Sequence, residues 1–175
     1  MLNIEKAEKI LEMVLEEYPS LYTLNIEIKN SNKFYLETKG VFNDSIIYIG
    51  KINYQDKFTK WLNKYLNNEY QLNSSFHMYN SFNDVFAFLH EIGHIYYFDI
   101  FTEEEKEKEY KQYKEKKYNK YEEAWKEYRL IKNEQLADSF ASNFMNENIL
   151  KIWSIMEDIS IEKAQEEYEF WSAWV

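Results

Sequence analysis

The stretch Phe82–Phe98, FNDVFAFLHEIGHIYYF, contains His90-Glu91-Ile92-Gly93-His94, an HExxH motif. On a helix, positions i and i+4 share a face, so two imidazoles from adjacent turns can grip one divalent ion. Glu91 is turned about 100° from His90, where a general base for a zinc-bound water belongs. The apolar spacing of Phe82, Val85, Phe86, Leu89, Ile92 and Tyr96 predicts that helix, and Ser81 with Asp84 offers its N-cap start. Gly93 costs roughly 1 kcal/mol relative to alanine in a helix interior, so it needs a reason. Close approach of another backbone beside the metal would be one.

The 175 residues suggest one domain with a substantial core, and aromatics make up 19% of them, so that core is expected to be ring-rich. Cysteine is absent. Disulfides, thiolate ligands and cysteine nucleophiles are thereby excluded together, and any zinc must be held by imidazole and carboxylate. The net charge is −10 and Arg129 is the single arginine, which disfavours a nucleic-acid partner. No basic-then-apolar leader opens the chain, and no apolar run approaches the ~18 residues of a membrane span. A soluble, cytoplasmic protein with no membrane partner is expected.

Before the motif, Asn3 to Tyr18 reads as an amphipathic helix with Ile4, Ala7, Leu11, Val14, Leu15 and Tyr18 on one face, stopped by Pro19-Ser20. Leu24, Ile26 and Ile28 alternate as a half-buried strand. After a turn at Asn30-Ser31-Asn32, Phe34 to Lys39 reads as a second strand. Ile46 to Ile49 reads as a third, with Asn43-Asp44 as the turn before it. Asn53 to Asn68 returns to helical period, and Glu69 to Asn80 reads as a loop or an irregular edge strand. After the motif, Thr102 and Glu105 form a capping box for a helix whose first half, Glu103 to Lys117, is nearly all charge and tyrosine. Its apolar stripe strengthens from Tyr121 through Trp125, Tyr128, Ile131, Leu136, Phe140 and Phe144. Helices around Asn148 to Met156 and from Ile161 onward follow. The expectation is one helix-rich α+β domain with a small sheet early in the sequence.

HExxH provides two ligands, and a catalytic zinc site needs a third from the protein. The candidates are His77 and the carboxylates. In Asn133–Ala141, NEQLADSFA, Glu134 and Asp138 lie i and i+4 on one helical face beside Ala137 and Ala141. Small residues there would let this helix lie close to the HExxH helix. Glu134 could then complete the metal shell, and Asp138 could hydrogen-bond the outer nitrogen of a ligating histidine. The plainer alternative is an amphipathic helix with two exposed acids.

HExxH followed by NExxxD resembles the gluzincin metallopeptidases. More closely, FxxxHEIGH at Phe86–His94 with ExxADxFA at Glu134–Ala141 resembles the ImmA/IrrE family of intracellular metallopeptidases. The resemblance implies a zincin-like single domain over residues 1–175, with an active-site helix and a following Glu-ligand helix. It also implies one Zn²⁺ bound by His90, His94 and Glu134, with Glu91 as base and Asp138 supporting a ligand. The interval from His94 to Glu134 is longer than the family leads one to expect, and a charged helical insertion at 103–120 accounts for it. The proline that often follows the family's FA helix is missing, and no helix-turn-helix segment is apparent.

The expected activity is zinc-dependent hydrolysis of a peptide bond in an intracellular protein substrate, with Glu91 activating the water. His77, Tyr96, Tyr97, Tyr128 and Arg129 are candidates to stabilise the oxyanion or bind substrate. A non-peptidase zinc hydrolase on the same scaffold is an alternative. So is a non-catalytic protein-binding module using the acidic, tyrosine-rich helix. Imidazole-carboxylate sites also accept Mn²⁺, Co²⁺ and Ni²⁺.

Overall fold

The computed structural model describes residues 2–32, 35–39, 44–50, 57–72 and 81–173. Helix α1 (Ile4–Glu17) is capped by Asn3, whose side chain accepts the Lys6 N–H at 2.9 Å, and it buries Ala7, Ile10, Leu11 and Val14. Pro19 opens a 3₁₀ turn, Pro19–Thr23, that buries Leu21 and leads into the sheet.

The sheet has strands β1 (Asn25–Asn30), β2 (Tyr35–Lys39) and β3 (Asp44–Ile49) in the order β1-β3-β2. β3 pairs parallel with β1, from Asn25↔Asp44 to Asn30↔Ile49, and antiparallel with β2, from Tyr35↔Tyr48 to Lys39↔Asp44. β1 and β2 are therefore consecutive without being neighbours. Asp44, expected in a turn, is instead the first residue of β3, where its carboxylate accepts from the Asn25 amide at 3.0 Å and ties the register. As the middle strand, β3 buries Ser45, Ile46, Ile47 and Ile49, with Tyr48 half-buried.

Helix α2 (Lys57–Tyr70) runs past the expected end at Asn68. Trp61 stacks on Tyr65 at 5.2 Å and Tyr65 meets Tyr70 edge-on at 6.2 Å, so the aromatic row carries the helix one residue pair further. Its expected start at Asn53 and the side chain of Phe58 lie outside the described residues. Helix α3 (Ser81–Tyr96) carries HExxH and packs on β3 and on α6 (Lys132–Glu147). Lying between them, it buries Val85, Phe86, Phe88, Leu89, Ile92 and Ile95, a wider face than the single stripe expected. Tyr96 sits at the rim, edge-on to Tyr18 at 5.1 Å, and the side chain of Phe82 lies outside the described residues.

The segment after α3 is three helices where the sequence suggested one long one: α4 (Glu103–Glu115), α5 (Tyr121–Arg129) and α6. The Thr102–Glu105 capping box starts α4 with both reciprocal bonds. The break at Leu130-Ile131 carries no glycine or proline. Its reason is tertiary. Residues nine apart on one continuous helix are two and a half turns apart and point oppositely. The break lets Arg129 fold back onto Asp138 at 2.6 Å. Helices α7 (Ile149–Glu157) and α8 (Ile161–Ser172) complete the domain, α7 packing on α1 and α8. Among the described residues, no helix is long and apolar enough to cross a membrane.

Gly93 is where α3 and α6 meet most closely. A Cβ there would lie 2.8 Å from Ala137 Cα, 3.1 Å from Ala137 O and 3.2 Å from Phe140 Cβ. Two of those atoms are backbone, so relief requires the helices to part. Gly93→Ala gains about 1 kcal/mol of helix propensity and loses about 1–3 kcal/mol to overpacking. The expected outcome of urea unfolding of the metal-free protein is a net loss of about 1 kcal/mol, with a larger loss for Gly93→Val. An alanine variant more stable than the parent would contradict the close approach.

Candidate metal centre

His90 and His94 project from adjacent turns of α3 toward the first turn of α6, where Glu134 lies. The Nε2 of His90 is 3.3 Å from Glu134 Oε2, and the Nε2 of His94 is 3.6 Å from Glu134 Oε1. The two rings cross at 82° with centroids 4.6 Å apart. Each residue offers one ligand atom in a group whose members all lie within 4.8 Å of one another. His90 and Glu134 are buried and His94 is half-buried. A tetrahedral Zn²⁺ with bonds of about 2.0–2.1 Å holds its ligand atoms about 3.3–3.5 Å apart. The two nitrogen–oxygen distances are close to that spacing and the donor set suits a divalent ion, so this group could hold one.

Behind the triad lies a charged chain. Asp138, fully buried, places Oδ1 2.9 Å from His90 Nδ1 and 2.6 Å from Arg129 Nη1. Arg129 is also buried, and its Nη1 is 3.8 Å from Glu134 Oε2. Asp138 therefore sits on the Nδ1 side of His90, and Nε2 on the other side of the ring faces Glu134.

The electrostatics follow from this packing. Burial pulls the His90 pKa down, but Asp138 and Glu134 on its two nitrogens outweigh that and raise it to about 9. Burial and the neighbouring His90 lower His94 to about 4. Burial works to raise Glu134, yet the two histidines and Arg129 hold it well below the usual carboxylate range. Burial pushes Glu91 upward.

These directions give a proton count. Without metal, His90 carries a proton at neutral pH and His94 does not. The raised His90 value means its charge stabilises the metal-free fold fully below about pH 6.5, and that contribution is lost as pH rises through about 9. Metal binding needs a neutral imidazole. Uptake of a divalent ion by this group at pH 7–8 would therefore release about one proton per ion, with affinity rising about tenfold per pH unit up to about 9. Calorimetric titration in buffers of different ionisation enthalpy measures this, and zero release would mean that His90 is already neutral.

The other expected site residues divide. Tyr128 lies near Glu134, whose charge adds to burial in raising the phenol's pKa. Arg129 is committed to Asp138 and holds the carboxylate behind His90 in place. Tyr97 is half-buried, with its ring against Tyr96 and Phe140. His77 lies outside the described residues. Two residues were given no role from sequence. Tyr110 of α4 donates to Glu134 Oε1 at 2.5 Å, and Asn133 adjoins Glu134 and works to raise the His94 pKa against burial. The one signal for Tyr110 was that it and Tyr113, i and i+3, form an aromatic face on an otherwise charged helix. Comparison of the chain with protein families, curated proteins and solved structures finds no match.

Proposed function

We propose that this chain is a zinc-dependent metallopeptidase that hydrolyses a peptide bond in a protein substrate, as its resemblance to the ImmA/IrrE family implies. The observation that carries the reading is a spare carboxylate beside a three-ligand group. Glu91 is half-buried next to His90 and takes part in no hydrogen bond or ion pair among the described residues. A site built only to hold the fold together closes its shell with four protein ligands and needs no base. His90, His94 and Glu134 would hold the ion, and Zn²⁺ there supplies a Lewis acid that polarises a carbonyl and lowers the pKa of water toward about 7.

Glu91 takes a proton from the attacking water and returns it to the leaving amine. Its burial raises its pKa toward the range in which a carboxylate is an effective base. Asp138 keeps His90 in one orientation throughout, and Arg129 holds the Asp138 carboxylate in place. The test is incubation of the zinc-loaded protein with a library of denatured proteins, followed by mass spectrometry of new termini. New termini that vanish with a chelator and return with added zinc are expected. A protein holding one zinc per chain that makes no cuts would sink the reading.

A further inference from the structure

We infer that Tyr110 is a positioning residue for Glu134, which makes the surface helix α4 a working part of the metal centre. This rests on the metal-binding half of the function proposed above, but not on peptide hydrolysis. Helix α4 is nearly all charge, and none of its residues is buried. Such a helix ordinarily lies on the surface as a solvated face. Here its inner side is attached around the first turn of α6. Tyr110 donates to Glu134 Oε1 at 2.5 Å, and the rings of Tyr110 and Tyr113 lie 6.2 Å and 5.5 Å from that of Tyr128. Helix α6 starts at Ile131 without a side-chain cap, and Glu109 of α4 accepts the Lys132 N–H at 3.0 Å. An N–H that the start of a helix leaves without an intrahelical partner is thus satisfied from another helix.

The consequence falls on the ligand. A glutamate carboxyl turns about a broad terminal torsion, so burial alone does not decide which oxygen faces a metal. Tyr110 engages Oε1, which lies 3.6 Å from His94 Nε2, and so holds the carboxyl with Oε2 toward His90 Nε2, at 3.3 Å, and 3.8 Å from Arg129 Nη1. Burial and the adjacent Glu134 both raise the Tyr110 pKa, so the phenol keeps its proton and stays a donor.

The test compares the parent with Tyr110→Phe in zinc competition titrations and in the visible spectrum of the Co²⁺-loaded proteins. We expect about tenfold weaker zinc binding, within the range for groups that orient a ligand, and an altered Co²⁺ spectrum. The metal-free Tm should stay within about 3 °C of the parent. Coupling is reciprocal, so zinc should slow amide exchange along α4 in the parent and much less in the variant. Lys116→Met loosens the same helix at its far end by removing the Lys116–Glu127 pair, and should leave zinc affinity unchanged. Equal affinities and spectra for parent and Tyr110→Phe would overturn the inference. So would an equal loss in Lys116→Met, or a large fall in metal-free Tm. If both proteins bind zinc as expected and neither cuts peptides, the peptidase reading fails and this one stands. A parent that takes up no metal overturns both.

Discussion

Glu91→Gln is expected to lower peptide hydrolysis by about 10²–10⁴-fold, the usual contribution of a positioned acid–base group, with one metal ion per chain retained. Glutamine keeps the size of the side chain and loses the ability to accept a proton. Glu91 is half-buried and anchors nothing among the described residues, so the fold should not notice the change. In the metal-free protein the substitution should even relieve a small strain. Burial and the nearby Glu134 both disfavour the Glu91 charge, while His90 favours it. Single-turnover kinetics on a substrate from the cleavage screen, with metal content measured on the same samples, tests this. Activity within a few-fold of the parent would remove Glu91 from the base role.

Arg129→Met carries the largest expected cost in stability, about 3–5 kcal/mol. The magnitude belongs to the partner left behind. Asp138 is fully buried and would keep only His90 against its charge, while Glu134 would lose its neighbouring guanidinium. Methionine fills much of the volume and offers no donor. A double variant, Arg129→Met with Asp138→Leu, should recover part of the loss, because the uncompensated charge goes with it. Urea unfolding of the metal-free proteins measures both. A single-variant loss below about 1 kcal/mol would mean that water already screens the pair. The same substitution removes a charge that opposes His90 protonation, so the His90 pKa should move further above its value of about 9.

Several features of the chain are determined by local geometry and can be read without a structure. The two histidines share a face because an α-helix repeats every 3.6 residues, whatever surrounds it. Asn3 and the Thr102–Glu105 pair cap helices through bonds within three residues of chain, and Pro19 ends a helix by its own ring. Glu134 and Asp138 fall on one face beside Ala137 for the same reason. Even the cost of Gly93 pointed to a close neighbour, although which neighbour was not written there.

What tertiary structure decided concerns partners far apart along the chain. The order β1-β3-β2 places β3, which packs on α3, in the middle of the sheet, and alternation of apolar residues is the same in any order. The break at Leu130-Ile131 has no local punctuation, since the pull comes from a buried ion pair that forms only after folding. Arg129 looked from sequence like a free donor for substrate, but burial beside Asp138 gives it an internal task. Tyr110 lies in a run of charge whose composition says only that water can solvate it. Its hydroxyl reaches Glu134 because α4 folds back over the start of α6, and a side-chain tip that meets its partner 24 residues away leaves no periodic trace.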